Sequence, residues 1–107
     1  TPGYHDTHLS EISKIREMIH ATPVDGFAGC CIAIKDMDQR ETIKTIDLPV
    51  LVIAGAEDPG TTPAMNKLIA DSIPGAEYIE LPASAHFCNV QAADGFNATL
   101  ADFLLKH

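Results

Sequence analysis

The feature that most constrains the fold is the stretch from Val50 to Asp58, which reads V-L-V-I-A-G-A-E-D. Its unbroken apolar run is typical of a strand buried on both faces, as in a parallel sheet covered by helices. Gly55 permits a sharp exit from the strand, and Asp58 follows shortly after it. Functional residues of open α/β sheets gather just beyond the carboxyl ends of the strands. We therefore predict a central strand over Val50–Ala54, with Asp58 at the functional edge of the sheet.

The next segment predicts a strand–helix–strand unit. Thr62 and Pro63 are the residue types preferred at the N-cap and the first position of a helix, and an apolar stripe continues from there to Ile73. Residues Ala76–Leu81 then alternate between apolar and polar side chains, which is typical of a strand with one more exposed face. Because a helix connects the two strands, they should be parallel and joined by a right-handed crossover.

Further helices are predicted on both sides of this unit. Apolar residues recur at three- and four-residue steps over Leu9–Ala21 and again over Val90–Leu105, which indicates two amphipathic helices. Thr22 is expected to cap a helix that follows it, and Asn89 is expected to cap the last helix. A short helix is predicted between Asp38 and Thr45.

Composition limits the classes of partner. The chain has 107 residues and a formal net charge of −8, and such an acidic surface repels both nucleic acid and anionic membranes. No apolar run approaches the ~20 residues that a membrane-spanning helix needs. The three cysteines form neither a disulfide framework nor a Cys-x-x-Cys metal motif. We therefore expect buried free thiols and a cytoplasmic protein that contacts neither nucleic acid nor membrane.

Two ionisable side chains follow the two predicted strands: Asp58 follows the first, and His86 follows the second. Adjacent parallel strands lie about 4.8 Å apart, so loops at one sheet edge can bring such side chains within hydrogen-bond reach. A buried aspartate that holds one histidine nitrogen is the orienting half of a nucleophilic triad. Taken alone, His86 could also be a loop histidine bonded to a backbone carbonyl, and Asp58 could be an ordinary turn residue. Together they favour a catalytic acid–base pair.

Three stretches resemble the C-terminal part of the α/β-hydrolase family, namely Thr22–Arg40, Leu48–Pro63 and Ala83–Asn89. The narrower signal is the run V-D-G-F-A-G-C-C within the first stretch, which resembles the 3-oxoadipate enol-lactonases. The resemblance implies an α/β fold class, as the C-terminal part of a hydrolase fold with two parallel strands, flanking helices and an incomplete sheet. It also implies that Asp58 is the triad acid and His86 the triad base.

The same resemblance implies a domain organisation and an activity. Residues 1–21 would hold the last helix of a cap over the active site, and residues 22–107 would be the C-terminal portion of the hydrolase core. The substrate would be a small-molecule ester or lactone, here an anionic enol-lactone from the bacterial degradation of aromatic compounds. Neither a metal nor an organic cofactor is implied.

The chain departs from the family pattern because it contains no Gly-x-Ser-x-Gly motif. Its serines, none of which lies at a predicted strand-to-helix elbow, are Ser10, Ser13, Ser72 and Ser84. A two-stranded parallel sheet would also leave an unpaired apolar edge. We therefore expect a fragment that is inactive alone and that needs the remainder of the fold, or a second copy of the chain, as its partner.

Two other interpretations remain open. The complete protein could be a related hydrolase of the same fold, such as an aryl esterase or a perhydrolase. Alternatively, the chain could be a non-catalytic association module in which Asp58 and His86 are incidental. A distance between these two side chains that is too long for a hydrogen bond would favour the second alternative.

Overall fold

The computed structural model describes all 107 residues, and the chain divides into two compact units. One unit comprises residues 2–39, and the other comprises residues 40–107 together with Thr1. No helix in the chain combines the length and the apolar character needed to cross a bilayer.

The unit of residues 40–107 is built on a two-stranded parallel sheet. Strand β1 covers Leu51–Gly55 and strand β2 covers Glu77–Leu81, with Leu51 opposite Glu77 and Gly55 opposite Leu81. Val50 precedes the strand, but its carbonyl accepts a hydrogen bond from the Glu77 amide at 2.9 Å. The predicted parallel pair is therefore confirmed, with β1 displaced by one residue. This register brings both strands to an end at the same level.

Helix α4, over Pro63–Ser72, connects the two strands and packs against both of them. The Thr62 hydroxyl accepts a hydrogen bond from the Met65 amide at 3.4 Å, and Pro63 occupies the first turn, so the predicted helix start is confirmed. Burial and the nearby Glu80 carboxylate raise the pKa of Tyr78 to about 12. Its hydroxyl therefore stays protonated. It lies 2.9 Å from Glu80 Oε1 and 3.0 Å from the carbonyl oxygen of Pro63 at the start of α4.

The core of this unit is small. Its buried apolar residues are Ala54, Ala70, Ile73, Leu81 and Cys88. The prediction that β1 is buried on both faces is wrong for its first three residues, which are only partly buried. One edge of β1 has no neighbouring strand, so the side chains along that edge are covered less than in a central strand.

The C-terminal segment forms two helices where one was predicted. Helix α5 covers Cys88–Gln91 and helix α6 covers Ala93–Lys106, with Ala92 in a non-helical conformation between them. Asn89 lies inside α5 and provides no side-chain cap for the last helix, so its predicted role is wrong. The predicted helix from Asp38 is also shorter than expected, since only a 3₁₀ turn over Thr42–Thr45 forms.

The unit of residues 2–39 contains helices α1 (Tyr4–Thr7), α2 (Leu9–Ala21) and α3 (Val24–Lys35). The limits of α2 agree with the prediction. Thr22 does not cap α3, because its hydroxyl donates to the Met18 carbonyl at the end of α2. No residue of α2 or α3 is buried, and the apolar stripe of α2 is exposed at Leu9 and Met18.

Candidate active site

The turn after β1 places Asp58 beside the end of β2. The Ala56 amide donates to the Leu81 carbonyl at 3.0 Å, and the Glu57 amide donates to the Ser84 carbonyl at 2.9 Å. Pairing between the two chain segments therefore continues past the strand ends. The Asp58 amide closes the turn by donating to the Gly55 carbonyl at 3.2 Å.

Gly55 allows the loop after β2 to approach the end of β1 closely. A Cβ atom at this position would stand 2.7 Å from the Ser84 carbonyl oxygen and would also collide with the carbonyl oxygen of Ala85. Only a residue without a side chain fits here, because both opposing groups are backbone. The glycine therefore sets the distance between the two loops that carry Asp58 and His86.

Two hydrogen bonds hold the loop that carries His86. The Ser84 hydroxyl is fully buried and donates to the Leu81 carbonyl at 2.8 Å. The Ala85 amide donates to the side-chain oxygen of Gln91 on α5 at 2.8 Å. Ala83 adopts a positive φ of 52°, in the left-handed region that a non-glycine residue seldom occupies. The loop is therefore a defined, tightly turned segment that presents His86.

Asp58 and His86 meet through a hydrogen bond. The distance from His86 Nδ1 to Asp58 Oδ2 is 2.9 Å, within hydrogen-bond range. The two side chains differ sharply in exposure, since that of Asp58 is 5% exposed and that of His86 is 67% exposed. The structure thus brings together the two residues that the sequence singled out, with the acid buried and the imidazole open to solvent.

Asp58 accepts further hydrogen bonds that favour its ionised form. The Thr61 hydroxyl lies 2.7 Å from Oδ2, and the Gly60 and Thr61 amides lie 2.8 and 3.2 Å from Oδ1. The Thr61 hydroxyl above all, and then His86 and the Gly60 amide, hold the pKa of Asp58 well below its usual range, against the opposing effect of burial. The carboxylate is therefore charged at neutral pH.

This charge state determines what His86 can do. An ionised carboxylate only accepts hydrogen bonds, so Nδ1 of His86 carries the proton that points at Asp58. In the neutral ring, the Nε2 lone pair is then free on an exposed side chain, and Nε2 can act as a base. The ring of Phe87 lies edge-on to the imidazole, with 5.9 Å between the ring centroids.

None of the other candidate groups is placed to act as a nucleophile beside this pair. Ser84 is buried and its hydroxyl is used within its own loop, so it is not presented to His86 Nε2 as a nucleophile. Cys88 is buried, as expected. Cys30 and Cys31 are exposed on α3, so the expectation that all three thiols are buried is wrong for these two.

Two residues that were not predicted from the sequence, Thr61 and Gln91, support the pair. Thr61 contacts both Asp58 and His86, and its position three residues after an aspartate in a turn is a signal that could have indicated it. Gln91 holds the His86 loop through the Ala85 amide, but no local pattern marks it.

Comparisons with known proteins agree with this geometry. The chain is 35% identical over 97 residues to 3-oxoadipate enol-lactonase 2 of Acinetobacter baylyi. It is 29% identical, over 91% of its length, to the pimeloyl-acyl-carrier-protein methyl ester esterase of Neisseria meningitidis. The crystal structure of the enol-lactonase from Burkholderia xenovorans LB400 superimposes on 98% of the chain with a TM-score of 0.93 and 36% sequence identity. No family model matches the chain.

The chain spans well under half the length of these relatives. It covers 36% of the Acinetobacter lactonase, 44% of the Neisseria esterase and 40% of the Burkholderia structure. The two-stranded sheet with its flanking helices is therefore a partial version of the fold that these proteins share.

Proposed function

We propose, from the premise that this chain belongs to the α/β-hydrolase family, that it is part of a carboxylic ester or lactone hydrolase. The substrate that its similarities favour is 3-oxoadipate enol-lactone, since relatives named for that activity match nearly the whole chain. In this proposal Asp58 is the acid and His86 the base of a Ser-Asp-His triad.

The proposed mechanism uses the two nitrogens of His86 for different tasks. A serine from another part of the fold attacks the lactone carbonyl carbon while Nε2 of His86 removes the hydroxyl proton. The ring C–O bond then breaks, and the same proton passes to the departing oxygen. His86 next takes a proton from water, which attacks the acyl-serine carbonyl carbon. The bond between the acyl carbon and the serine oxygen then breaks, and His86 returns the proton to that oxygen as the acid leaves. Asp58 keeps the ring oriented throughout through Nδ1.

The nucleophile is proposed to come from outside this sequence. Ser13, Ser72 and Ser84 all hydrogen-bond to a near neighbour in the chain, and Ser10 lies on α2 outside any Gly-x-Ser-x-Gly motif. The remaining strands of the fold would supply the serine. Either those strands or a second copy of the chain would cover the open edge of β1. Residues 1–21 would then belong to the cap and residues 22–107 to the core.

A single observation carries the proposal. It is the 2.9 Å hydrogen bond between a buried aspartate and an exposed histidine, presented by the carboxyl ends of adjacent parallel strands. This is where open α/β sheets place their chemistry. The surrounding contacts hold both loops, so the pair is preorganised.

The test is the substitution His86→Ala in the full-length protein that carries this segment. We expect kcat for lactone hydrolysis to fall by about 10³-fold or more, because the reaction loses its base. The matched control is His107→Ala, which removes a histidine whose ring lies 3.6 Å from Glu77, at the opposite end of β2. A loss of less than about tenfold for His86→Ala would refute the role of this residue.

A second candidate is a related esterase of the same family, and the similarity to the Neisseria methyl ester esterase favours it. The pair formed by Asp58 and His86 would act in the same way, and only the acyl group and the leaving group would differ. Comparing kcat/KM of the full-length protein on an enol-lactone, an aryl ester and a methyl ester distinguishes these hydrolases. Preference for an open-chain ester over the lactone would favour this second candidate.

A further inference from the structure

Thr61 forms a three-way contact with Asp58 and His86. Its hydroxyl oxygen lies 2.7 Å from Asp58 Oδ2 and 3.2 Å from His86 Nδ1, while Oδ2 and Nδ1 are 2.9 Å apart. All three atoms are thus in mutual hydrogen-bond range. The backbone amide of Thr61 also donates to Asp58 Oδ1 at 3.2 Å, so one residue contacts both carboxylate oxygens.

Only one placement of protons satisfies all the hydrogen bonds of this three-way contact. Asp58 is charged and only accepts, so the Thr61 hydroxyl donates to Oδ2 and turns its lone pairs towards Nδ1. The Nδ1 proton is then attracted by two oxygens, Oδ2 at 2.9 Å and Oγ1 at 3.2 Å. If the proton were on Nε2 instead, the Nδ1 lone pair would face Oδ2 and repel it. The Thr61 hydroxyl could then donate to Nδ1 only by giving up its hydrogen bond to the carboxylate. The three-way contact therefore favours the His86 tautomer whose free lone pair is on Nε2.

The neighbouring threonine has a different task. The Thr62 hydroxyl accepts from the Met65 amide and caps α4. Two adjacent threonines therefore divide the work: one hydroxyl supports the helix and the other supports the acid–base pair. Because both can be changed to valine with little change in shape, they form a matched pair for an experiment.

We propose that Thr61 is a positioning residue of the hydrolase, whose hydroxyl holds the Asp58 carboxylate and the His86 ring in the tautomer and orientation that leave Nε2 as the base. The proposal rests on the catalytic roles given to Asp58 and His86 under the proposed function. It assigns Thr61 to the acid–base pair and not to substrate binding, so the loss of its hydroxyl should lower kcat and leave KM unchanged.

The experiment compares Thr61→Val, Thr61→Ser and Thr62→Val in the full-length protein, using steady-state hydrolysis of the enol-lactone. We expect Thr61→Val to lower kcat by about tenfold with KM within about twofold, because a small misplacement of a catalytic group is costly. Thr61→Ser keeps the hydroxyl and should recover most of kcat. Thr62→Val should lower thermal stability and leave kcat unchanged, which separates loss of stability from loss of positioning.

A double-mutant cycle tests whether Thr61 acts through Asp58. In the Asp58→Asn background, Thr61→Val should cause little further loss, because the carboxylate that it positions is already gone. If kcat of the double variant fell by the product of the two single losses, Thr61 would act independently of Asp58, and the proposal would be overturned. A kcat for Thr61→Val within about twofold of the unaltered protein would also overturn it, provided that His86→Ala abolishes activity. If His86→Ala stays active, the proposed function itself fails, and this inference fails with it.

Discussion

Asp58 is a charged residue in a buried position, and its surroundings compensate for the loss of water. Four donors reach its two oxygens: the Gly60 and Thr61 amides, the Thr61 hydroxyl and His86 Nδ1. A buried carboxylate without such partners would be strongly destabilising. The turn after β1 is therefore shaped to stabilise a negative charge.

The depressed pKa of Asp58 predicts a dependence of stability on pH. The unfolded chain protonates Asp58 around its ordinary value of 3.8, whereas the folded chain does so only at lower pH. Between the two values the unfolded state binds more protons, so the contribution of Asp58 to stability is complete above the unfolded value and is lost as pH falls towards the folded one. We expect the urea midpoint of the full-length protein to fall between pH 5 and pH 3.

The comparison that isolates this effect is Asp58→Asn, which cannot ionise. Its urea midpoint should fall less over the same pH range than that of the unaltered protein. Equal falls in the two proteins would assign the pH dependence to other carboxylates and contradict the role given to Asp58.

At the scale of elements, the site depends on how closely the two loops approach. Parallel pairing of β1 with β2 brings the loops to one edge, and hydrogen bonds at Ala56 and Glu57 extend this pairing beyond the strands. Gln91 on α5 then holds the second loop from the other side through the Ala85 amide. The position of His86 is thus set by a sheet and a helix together, and not by its own loop alone.

Gly55→Ala tests this close approach. The new methyl group would collide with two backbone carbonyls, which cannot rotate away as a flexible side chain would. We expect a loss of about 1–3 kcal/mol in the free energy of unfolding, as overpacking causes elsewhere. We also expect a lower kcat, because the His86 loop must shift. Chemical denaturation and steady-state kinetics of the full-length protein measure the two effects.

The control for this prediction is Gly95→Ala in α6. There the added methyl group would lie 3.6 Å from the Leu81 side chain, an ordinary contact. Because alanine is the better helix former, this variant should be unchanged or more stable by up to about 1 kcal/mol. If Gly55→Ala and Gly95→Ala had the same free energy of unfolding, the prediction that the backbone approaches Gly55 too closely for a side chain would be wrong.

At the scale of the whole molecule, each of the two compact units exposes large apolar side chains. Val24, Phe27 and Ile32 on α3 are each more than 60% exposed, and Leu68 on α4 is 66% exposed. Apolar surface of this extent marks sites of contact with other protein segments. The relatives are more than twice as long as the segment matched here, which agrees with our proposal that further parts of the fold cover these faces.

The purified 107-residue chain should therefore have no lactonase activity. It contains the proposed acid and base but no Gly-x-Ser-x-Gly motif to supply the nucleophile. The measurement is enol-lactone hydrolysis by the chain alone, with the His86→Ala chain as the background. Turnover by the unaltered chain above that background would show that it carries its own nucleophile.

Local sequence signals determined the elements that build the site. The apolar run of β1, the alternation in β2 and the Thr62-Pro63 start of α4 depend on nearby residues, so the strand–helix–strand unit could be predicted from them. Parallel pairing then required Asp58 and His86 to share one edge of the sheet. Their meeting was predictable because it follows from chain direction and strand spacing.

Only the tertiary structure decided which surfaces are covered and which contacts complete the site. The partial exposure of β1 and the burial of Ser84 depend on how segments distant in sequence pack together. The split of the last helix at Ala92 and the contact from Gln91 to the Ala85 amide are more local, but no residue pattern indicated them. The spacing of apolar residues shows that a helix or strand has an apolar face. It does not show which segment packs on that face. The three-way contact at Thr61 likewise needs two separate loops to be in place before a hydroxyl can bridge them.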